Sequence, residues 1–481
     1  MPTINRGISD FLNAVSKAAD IILKHIASED VIHIVSHFDA DGIAAAGIMG
    51  KSLIRLGAKV HIHIEKWIDE KVVNEISARK PPLTIFTDLG SGDMDLLERG
   101  LPDSCIVILD HHQPVRDTPS AFTHINPHIY GIDGSRDLSG SGVAYLVAKA
   151  LKKSNVDLAC IAIVGALGDL QDKYEHRELG GVNKLIVRDA VKSGYLKVET
   201  GIMLFGRETR PIHKALACTT NPFIPGISGE EDKSLAFLTN LGITPKKGDK
   251  WRALRDLSEE EERKLFSALT EYLISRGYPS NLAMNLLGSI YILRKEEAWT
   301  PLRDAREFAV LLNATGRMDR PSLGVALCMG DRGKALDEAI TILEEYRRTI
   351  TKYLSWLSEE ANRIEELNNI YVVHGGKYID EKVIGTISSI LSTTKPNKPI
   401  IAYSIVPEEN IVKISARTVD KLAGKLNLGN ILSTAAQTHS GRGGGHNVAA
   451  GAQIPLEKLQ SFINFVDDLV GKSLKGESYG S

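Results

Sequence analysis

The sequence predicts an α/β protein: a parallel-sheet domain with a helical insertion, a long connector helix and a smaller C-terminal α/β domain. Three observations predict it. Over the first 190 or so residues, short β-branched apolar runs alternate with helix-period stretches, the pattern of a parallel sheet covered on both faces. Residues 331–368 keep helical periodicity for about ten turns, roughly 55 Å at 1.5 Å per residue. From 369 on the pattern returns to strands.

In order along the chain, residues 8–28 place Ile8, Leu12, Val15, Ala19, Ile22 and Leu23 at helical spacing. VIHIVS (31–36), VHIHIE (60–65), PLTIFT (82–87) and CIVIL (105–109) read as strands. CIAIVGALG (160–168) reads as a fifth, although its alanines leave helix open. GIAAAGIMGKSLIRLG (42–57) and SGVAYLVAKALKK (141–153) are intervening helices. These give a catalytic domain over 1–199, completed by 286–330, and a mostly helical insertion over 200–285, where LSEEEERKLFSALTEYLISRG (257–277) is a charged helix. A connector helix follows over 331–368, then a second domain over 369–474 and a tail over 475–481. The second domain holds the strands IYVVHGG, KPIIAYSIV and NIVKISARTV and the glycine-dense SGRGGGH (440–446).

Composition narrows the function. With 58 Lys and Arg against 60 Asp and Glu, the net charge of −2 excludes a protein that blankets a phosphate backbone with positive charge. Any nucleic-acid site is then a local patch, for which Arg303, Arg306, Arg317 and Arg320, and Lys413, Arg417, Lys421 and Lys425, are candidates. The four cysteines form no CxxC pair, which argues against structural zinc and a disulfide scaffold. No signal peptide and no apolar stretch of about 20 residues is visible, so a soluble cytoplasmic protein is expected. Only five glutamines point to a heat-adapted source.

The carboxylates carry the most information. VIHIVS runs into His37-Phe38-Asp39-Ala40-Asp41-Gly42, PLTIFT into Asp88, CIVIL into Asp110-His111-His112, and CIAIVGALG into Asp169. A lone aspartate after a strand is ordinarily a turn residue or helix cap. Four such endings are different, because the C-terminal ends of parallel strands share one edge, where ligands bind. At least five carboxylates and three imidazoles would converge there, and protons or cations must offset their repulsion. Mixed carboxylate and imidazole ligation without thiolate favours Mn2+, with Mg2+, iron or zinc as alternatives. There are ligands enough for two ions sharing a carboxylate, and pairs about 3.5–4 Å apart commonly serve phosphoryl hydrolysis. In the C-terminal domain, GRGGGH offers successive N–H groups as a nest for phosphate oxygens. Arg417 has the fork geometry for bidentate phosphate binding.

These residues also carry a resemblance. His37-Phe-Asp39-Ala-Asp41-Gly42, Asp88, Asp110-His111-His112 and Gly168-Asp169 resemble the four motifs of the DHH phosphoesterase superfamily. Gly443-Gly444-Gly445-His446 resembles the substrate-binding signature of the DHHA1 domain. Asn313-Ala-Thr-Gly316-Arg317 and Ser415-Ala-Arg417 are similar to motifs of RecJ-type single-strand exonucleases, most of all the archaeal RecJ-like nucleases that associate with GINS. The resemblance implies that His37 and Asp39 hold one metal ion, that Asp41, His111 and Asp169 hold a second, and that Asp88 bridges them. It implies a catalytic His112 near the scissile phosphate, with Asp110 orienting a histidine, and a substrate groove lined by Asn313, Arg317, Ser415, Arg417 and Gly443–His446. The implied reaction is hydrolysis of single-stranded DNA or RNA from an end, in replication or repair, by two-metal activation of water. The implied partner is the GINS complex. A small-substrate phosphodiesterase acting on oligoribonucleotides or cyclic dinucleotides, and a replisome scaffold, are the competing readings.

Overall fold

β1 (Val31–His37), β2 (Lys59–Glu65), β3 (Leu83–Thr87), β4 (Cys105–Leu109) and β5 (Phe122–Ile125) pair in parallel in the order β2-β1-β3-β4-β5 in the computed structural model. The structure describes residues 2–476 except 220–223, 278–283, 285, 420, 421 and 423. Lys421 of the expected basic patch, parts of the insertion and the end of the tail lie outside them. The chain divides into two units, Met1–Leu343 and Glu344–Ser481.

In the first unit, the strand order places β2 on one side of β1 and β3 on the other. This reversal makes a crevice at the carboxyl ends of β1 and β3, where ligands bind in doubly wound sheets. All five residues of β3 are buried, which is why its sequence is near-continuously apolar. Val35, Phe86, Ile106 and Ile108 pack with Val72, Val73 and Ile76 of α3 (Glu70–Arg79) and Met94 and Leu97 of α4 (Met94–Gly100). By the two-residue period, Ile34, Ile85 and Val107 point the other way. On that side α2 (Ala40–Ile54) and α5 (Gly140–Leu151) pack on the sheet, and α1 (Pro2–Ala27) packs on α5.

Residues 159–168 correct one expectation: they form α6 (Ala159–Gly168), a helix rather than a strand. Every position from Ala159 to Leu167 is buried, because α6 packs among α2, α5, α7 (Asn183–Lys192) and the helix Ala305–Arg317. A helix covered on all sides loses its amphipathic stripe and reads like a buried strand. Its small residues set the spacing. A Cβ on Gly165 would meet Ser141 Oγ at 2.2 Å and Asp41 Oδ1 at 2.5 Å. β5 went unread because it is short and half-exposed, with Thr123 and His124 inside it.

β6 (Leu196–Ile202) and β9 (Leu287–Leu293) pair antiparallel and frame the inserted segment. It holds α8 (Ile212–Ala217), α9 (Glu231–Asn240), α10 (Glu259–Ser275) and a small β7 (Lys246–Lys247)–β8 (Lys250–Trp251) pair. Ile212, Leu216, Leu238, Leu265, Leu269 and Leu273 give it a core of its own. A capping box between Ser258 and Glu261 starts α10. Glu307, on the helix Ala305–Arg317, accepts from Glu208 N at 2.6 Å and from the Thr209 hydroxyl, fastening the start of the insertion. Arg306 bonds Asp172 at 2.8 Å and the Ser289 carbonyl at 2.7 Å, and Arg303 bonds three carbonyls between Leu293 and Glu296. These two members of the expected basic patch are thus spent on structure. The same helix also grips the β1–α2 junction. Asn313 Oδ1 accepts from Ala40 N at 3.1 Å, and a Cβ on Gly316 would stand 1.8 Å from the Phe38 carbonyl oxygen.

The helix expected over 331–368 runs from Lys334 to Glu359. Residues Ile364–Glu366 instead form β10, which pairs with β11 (Tyr371–His374). Arg363 turns back onto the Trp356 carbonyl and bonds Glu359 at 3.2 Å and Glu360 at 2.5 Å, closing the helix end. In the second unit these strands join β12 (Ile400–Val406), β13 (Ile411–Arg417), β14 (Arg442–Gly445) and β15 (Ala449–Pro455) in the order β10-β11-β12-β13-β15-β14. The helices Leu428–Thr438 and Leu459–Lys475 bury Leu432, Ala435, Phe462 and Val466 against Val412, Ile414 and Ile454. Among the described residues, no helix is long and apolar enough to cross a membrane.

Two outcomes follow from the packing. Gly316→Ala forces a methyl against a backbone carbonyl and should cost about 2 kcal/mol, read as a lowered urea midpoint. Burial first, and then Asp304, raise the Glu307 carboxyl from 4.5 to about 7, against the bonds from Thr209 and Glu208. A raised folded-state pKa stabilises at low pH, and that contribution is lost as pH rises through the folded value. The melting-temperature difference between wild type and Glu307→Gln should therefore shift against the wild type between pH 4.5 and about 7.

Candidate metal centre

The carboxyl ends of β1, β3 and β4 deliver the expected residues to one place. His37 ends β1, and Asp39 caps α2, accepting from Asp41 N at 3.1 Å and Gly42 N at 3.0 Å. His37 Nδ1 lies 3.1 Å from Asp39 Oδ2 and 3.6 Å from Asp88 Oδ2. Asp88, just past β3, has φ of 57°, and His111 Nε2 lies 3.2 Å from its Oδ1. Asp88 belongs to two groups whose ligand atoms all lie within 4.8 Å of one another. One is His37, Asp39 and Asp88; the other is Asp88, Asp110, His111 and His112.

The remaining residues are held around these. Asp41, in the first turn of α2, accepts from Gly140 N at 2.7 Å and from Ser141 N at 3.2 Å, and its Oδ2 is 3.8 Å from His111 Nε2. The start of α5 thus lends its N–H groups to a carboxylate. Asp110 Oδ1 accepts from His111 N at 2.7 Å and pairs with His112 Nδ1 at 2.8 Å, while Oδ2 accepts from Ser91 N at 3.0 Å. His111 Nδ1 sits 2.6 Å from the Gly134 carbonyl oxygen, to which it donates, so Nε2 is the ring nitrogen that faces Asp88. Asp169 comes from the C-cap of α6, not from a strand end as expected. Its Oδ2 accepts from Gln171 Nε2 at 2.9 Å and lies 3.9 Å from His111 Nδ1.

Charge is strongly redistributed. Burial alone depresses the His37 imidazole, but Asp39 and Asp88 outweigh it and raise it to about 10. Against the same burial, Asp169 and Asp88 raise His111, and Asp110 raises His112. Burial lifts Asp41 and Asp169 above the ordinary carboxylate range, with Asp88 adding to the effect and His111 opposing it. Despite burial, His37 holds Asp39 low and His112 holds Asp110 low. Protons thus gather where cations would bind.

The donor set fits divalent metal. Both Asp88 oxygens and His37 Nδ1 are buried without a hydrogen-bond partner, and a buried carboxylate left in that state is costly. Gly140 closes one side, since a Cβ there would stand 2.7 Å from Asp88 Oδ1. Asp110, bonded through both oxygens, is suited to orienting His112.

Sequence reading missed the supports: Gly134, Gly140, Ser141 and the fully buried Gln171. Only Gly140-Ser141-Gly142 ahead of an apolar helix hinted at them. Of the residues expected to touch substrate, Asn313 holds Ala40 through Oδ1, while Arg317 ends its helix half-buried. In the second unit, Arg417 bonds Ser389 Oγ at 3.0 Å, Ser415 Oγ at 3.1 Å and the Ala416 carbonyl at 2.8 Å. Ser415 is buried. Gly443–Gly445, expected to form a phosphate nest, are placed by their strand pairing. They lie in β14, an edge strand, because glycines let the helix Leu428–Thr438 approach: a Cβ on Gly443 would meet the Leu432 carbonyl at 2.8 Å. His446 follows, its N–H bonded to the Ala449 carbonyl at 2.7 Å.

Three family models match the chain: the DHH family N-terminal domain over 31–166, the DHH-CID domain over 204–287 and the DHHA1 domain over 368–472. An uncharacterized protein of Methanocaldococcus jannaschii is 35% identical, with 96% of this chain and 98% of that one covered. The single-stranded-DNA-specific exonuclease RecJ of Dickeya dadantii is 23% identical, with 98% of this chain and 72% of that one covered. Among solved structures, CDC45 from Entamoeba histolytica has a TM-score of 0.64 at 12% identity, covering 95% of this chain and 99% of that one. RecJ with Mn2+ from Thermus thermophilus has a TM-score of 0.59 at 18% identity, covering 95% of this chain but 55% of that one, so the chain spans about half its length. Three matched segments on a RecJ-like fold place this chain in the DHH/DHHA1 phosphoesterase superfamily, as a RecJ-like member.

Proposed function

We propose that this chain is a divalent-metal-dependent exonuclease that hydrolyses single-stranded DNA or RNA from an end and releases mononucleotides in replication or repair. The observation that carries the reading is Asp88, a buried carboxylate with no hydrogen-bond partner at the centre of two ligand groups. Manganese in two RecJ structures of the same fold supports Mn2+, and magnesium in another supports Mg2+. His37 and Asp39 would hold one ion, Asp41, His111 and Asp169 the other, with Asp88 shared. Bound there, the ions supply Lewis-acid chemistry, neutralising phosphate charge and acidifying water.

The chain's own residues do the rest. Asp110 fixes the His112 ring through Nδ1, which leaves Nε2 to donate to a phosphate or leaving-group oxygen. His112 is the most exposed of the three histidines, with 42% of its side chain accessible, as a substrate contact requires. Arg317, Arg417 and His446 are the groups we assign to the strand's phosphates. The resemblance to archaeal RecJ-like nucleases supports GINS as the replication partner.

The experiment is a gel time course in manganese on single-stranded DNA and RNA labelled at either end. Mononucleotides released from one end are expected; cleavage of dinucleotides but not long strands would favour the small-substrate phosphodiesterase. Asp88→Asn should abolish cleavage and remove the rise in melting temperature that Mn2+ confers on the wild type. Its far-ultraviolet circular dichroism without metal should match that of the wild type, since no hydrogen bond is lost. Full activity in this variant would overturn the shared-ligand assignment.

A further inference from the structure

The turn after α6 carries a side chain that neither the fold nor the metal centre uses. The helix closes with Leu170 N bonded to the Leu167 carbonyl at 3.2 Å and Gln171 N to the Ala166 carbonyl at 3.0 Å. This cap needs a left-handed residue, ordinarily glycine. Here it is Leu170, with φ of 55° and 64% exposure. An apolar side chain this open contributes little packing, and glycine would meet the backbone requirement without strain.

Leu170 is also firmly placed. It lies between Asp169 of the metal centre and Gln171, which bonds both Asp169 Oδ2 at 2.9 Å and the Gly134 carbonyl at 2.8 Å. The Gly134 loop thereby joins the turn, and two cations stand on the joined segments. Lys173 Nζ bonds the Ser135 carbonyl at 3.0 Å, and exposed Arg136 stacks 4.0 Å from the Tyr174 ring centroid. Of the local carboxylates, Glu175 is exposed and Asp133 is close enough to Lys173 to interact with it, while the others have partners of their own. Asp133 accepts from Ser135, Asp137 from the Tyr174 hydroxyl, and Asp172 from Arg177 and Arg306. One apolar side chain and two cations are therefore carried on the segments beside the metal centre.

We propose that Leu170, Arg136 and Lys173 form a nucleotide subsite beside the metal centre. Leu170 lies against a base or sugar, and the two cations face the phosphate next to the scissile one. The subsite rests on the nuclease reading above and adds its contacts in the first unit.

The test compares wild type, Leu170→Gly, Leu170→Met and Arg136→Ala in manganese. The substrates are a thymidylate dodecamer and bis(p-nitrophenyl) phosphate, which has neither base nor flanking phosphate. The ratio of kcat/KM on the strand to that on the ester should fall about tenfold in Leu170→Gly and Arg136→Ala, mainly through KM, as expected for losing one apolar or phosphate contact. Leu170→Met should retain the ratio, and Leu170→Gly should melt at or above the wild-type temperature. An unchanged ratio in Leu170→Gly overturns the subsite, as does an equal loss on both substrates, which marks a disturbed metal centre. A wild type that leaves the strand intact overturns the single-strand reading alone, and the ratio is then read with a 5′-phosphorylated dinucleotide. Inertness toward all three substrates overturns both.

Discussion

Five carboxylates drawn into one crevice at the β1/β3 switch point repel one another, and the architecture of the first unit answers that repulsion. Asp39 is met by the N–H groups of α2, Asp41 by those of α5, Asp110 by Ser91 and His112, and Asp169 by Gln171. Asp88 receives no such bond, and the imidazoles of His37 and His111 turn toward it instead. The folded chain therefore meets most of its own charge with donors and leaves one carboxylate for cations.

Holding those donors in place demands close approach of helices, and small residues supply it. Gly42, Gly140, Gly165 and Gly316 each leave room that a methyl group would fill, against His37, Asp88, Asp41 and Phe38 respectively. The helix Ala305–Arg317 does most with this freedom. Gly316 and Asn313 seat it on the β1–α2 junction, Glu307 fastens the start of the insertion, and Arg306 reaches Asp172, three residues past Asp169. An insertion with its own apolar core is thus bonded to the helix that supports the candidate metal ligands. In the second unit the same economy of size serves packing, since Gly443 of β14 admits the helix Leu428–Thr438.

Much of this was legible from residue order, and the legible part was local. His37, Asp39, Asp88, Asp110 and His111 were readable because each follows a β-branched run within a few residues, and period and punctuation are short-range signals. The backbone form of the glycines at 443–445 was open for a related reason: their composition is compatible with a nest or a strand, and pairing with Ala450, Gly451 and Ala452 places them in a strand. The supports of the site were not legible. Asp41 is bonded by residues about 100 positions away, and Ala40 by Asn313, 273 positions away.

The sequence by itself determined that parallel strands end in acids and imidazoles, and hence that protons or cations must offset their charge, because strand patterning and charge are properties of neighbouring residues. Only the tertiary structure decided that Asp169 arrives on a buried helix, that Asp110 is bonded through both oxygens while Asp88 accepts no hydrogen bond, and that Leu170 stands exposed in a left-handed cap. Those outcomes depend on which atoms meet across the fold, and a helix packed on every side or a hydrogen bond between distant residues leaves no periodic trace in the chain.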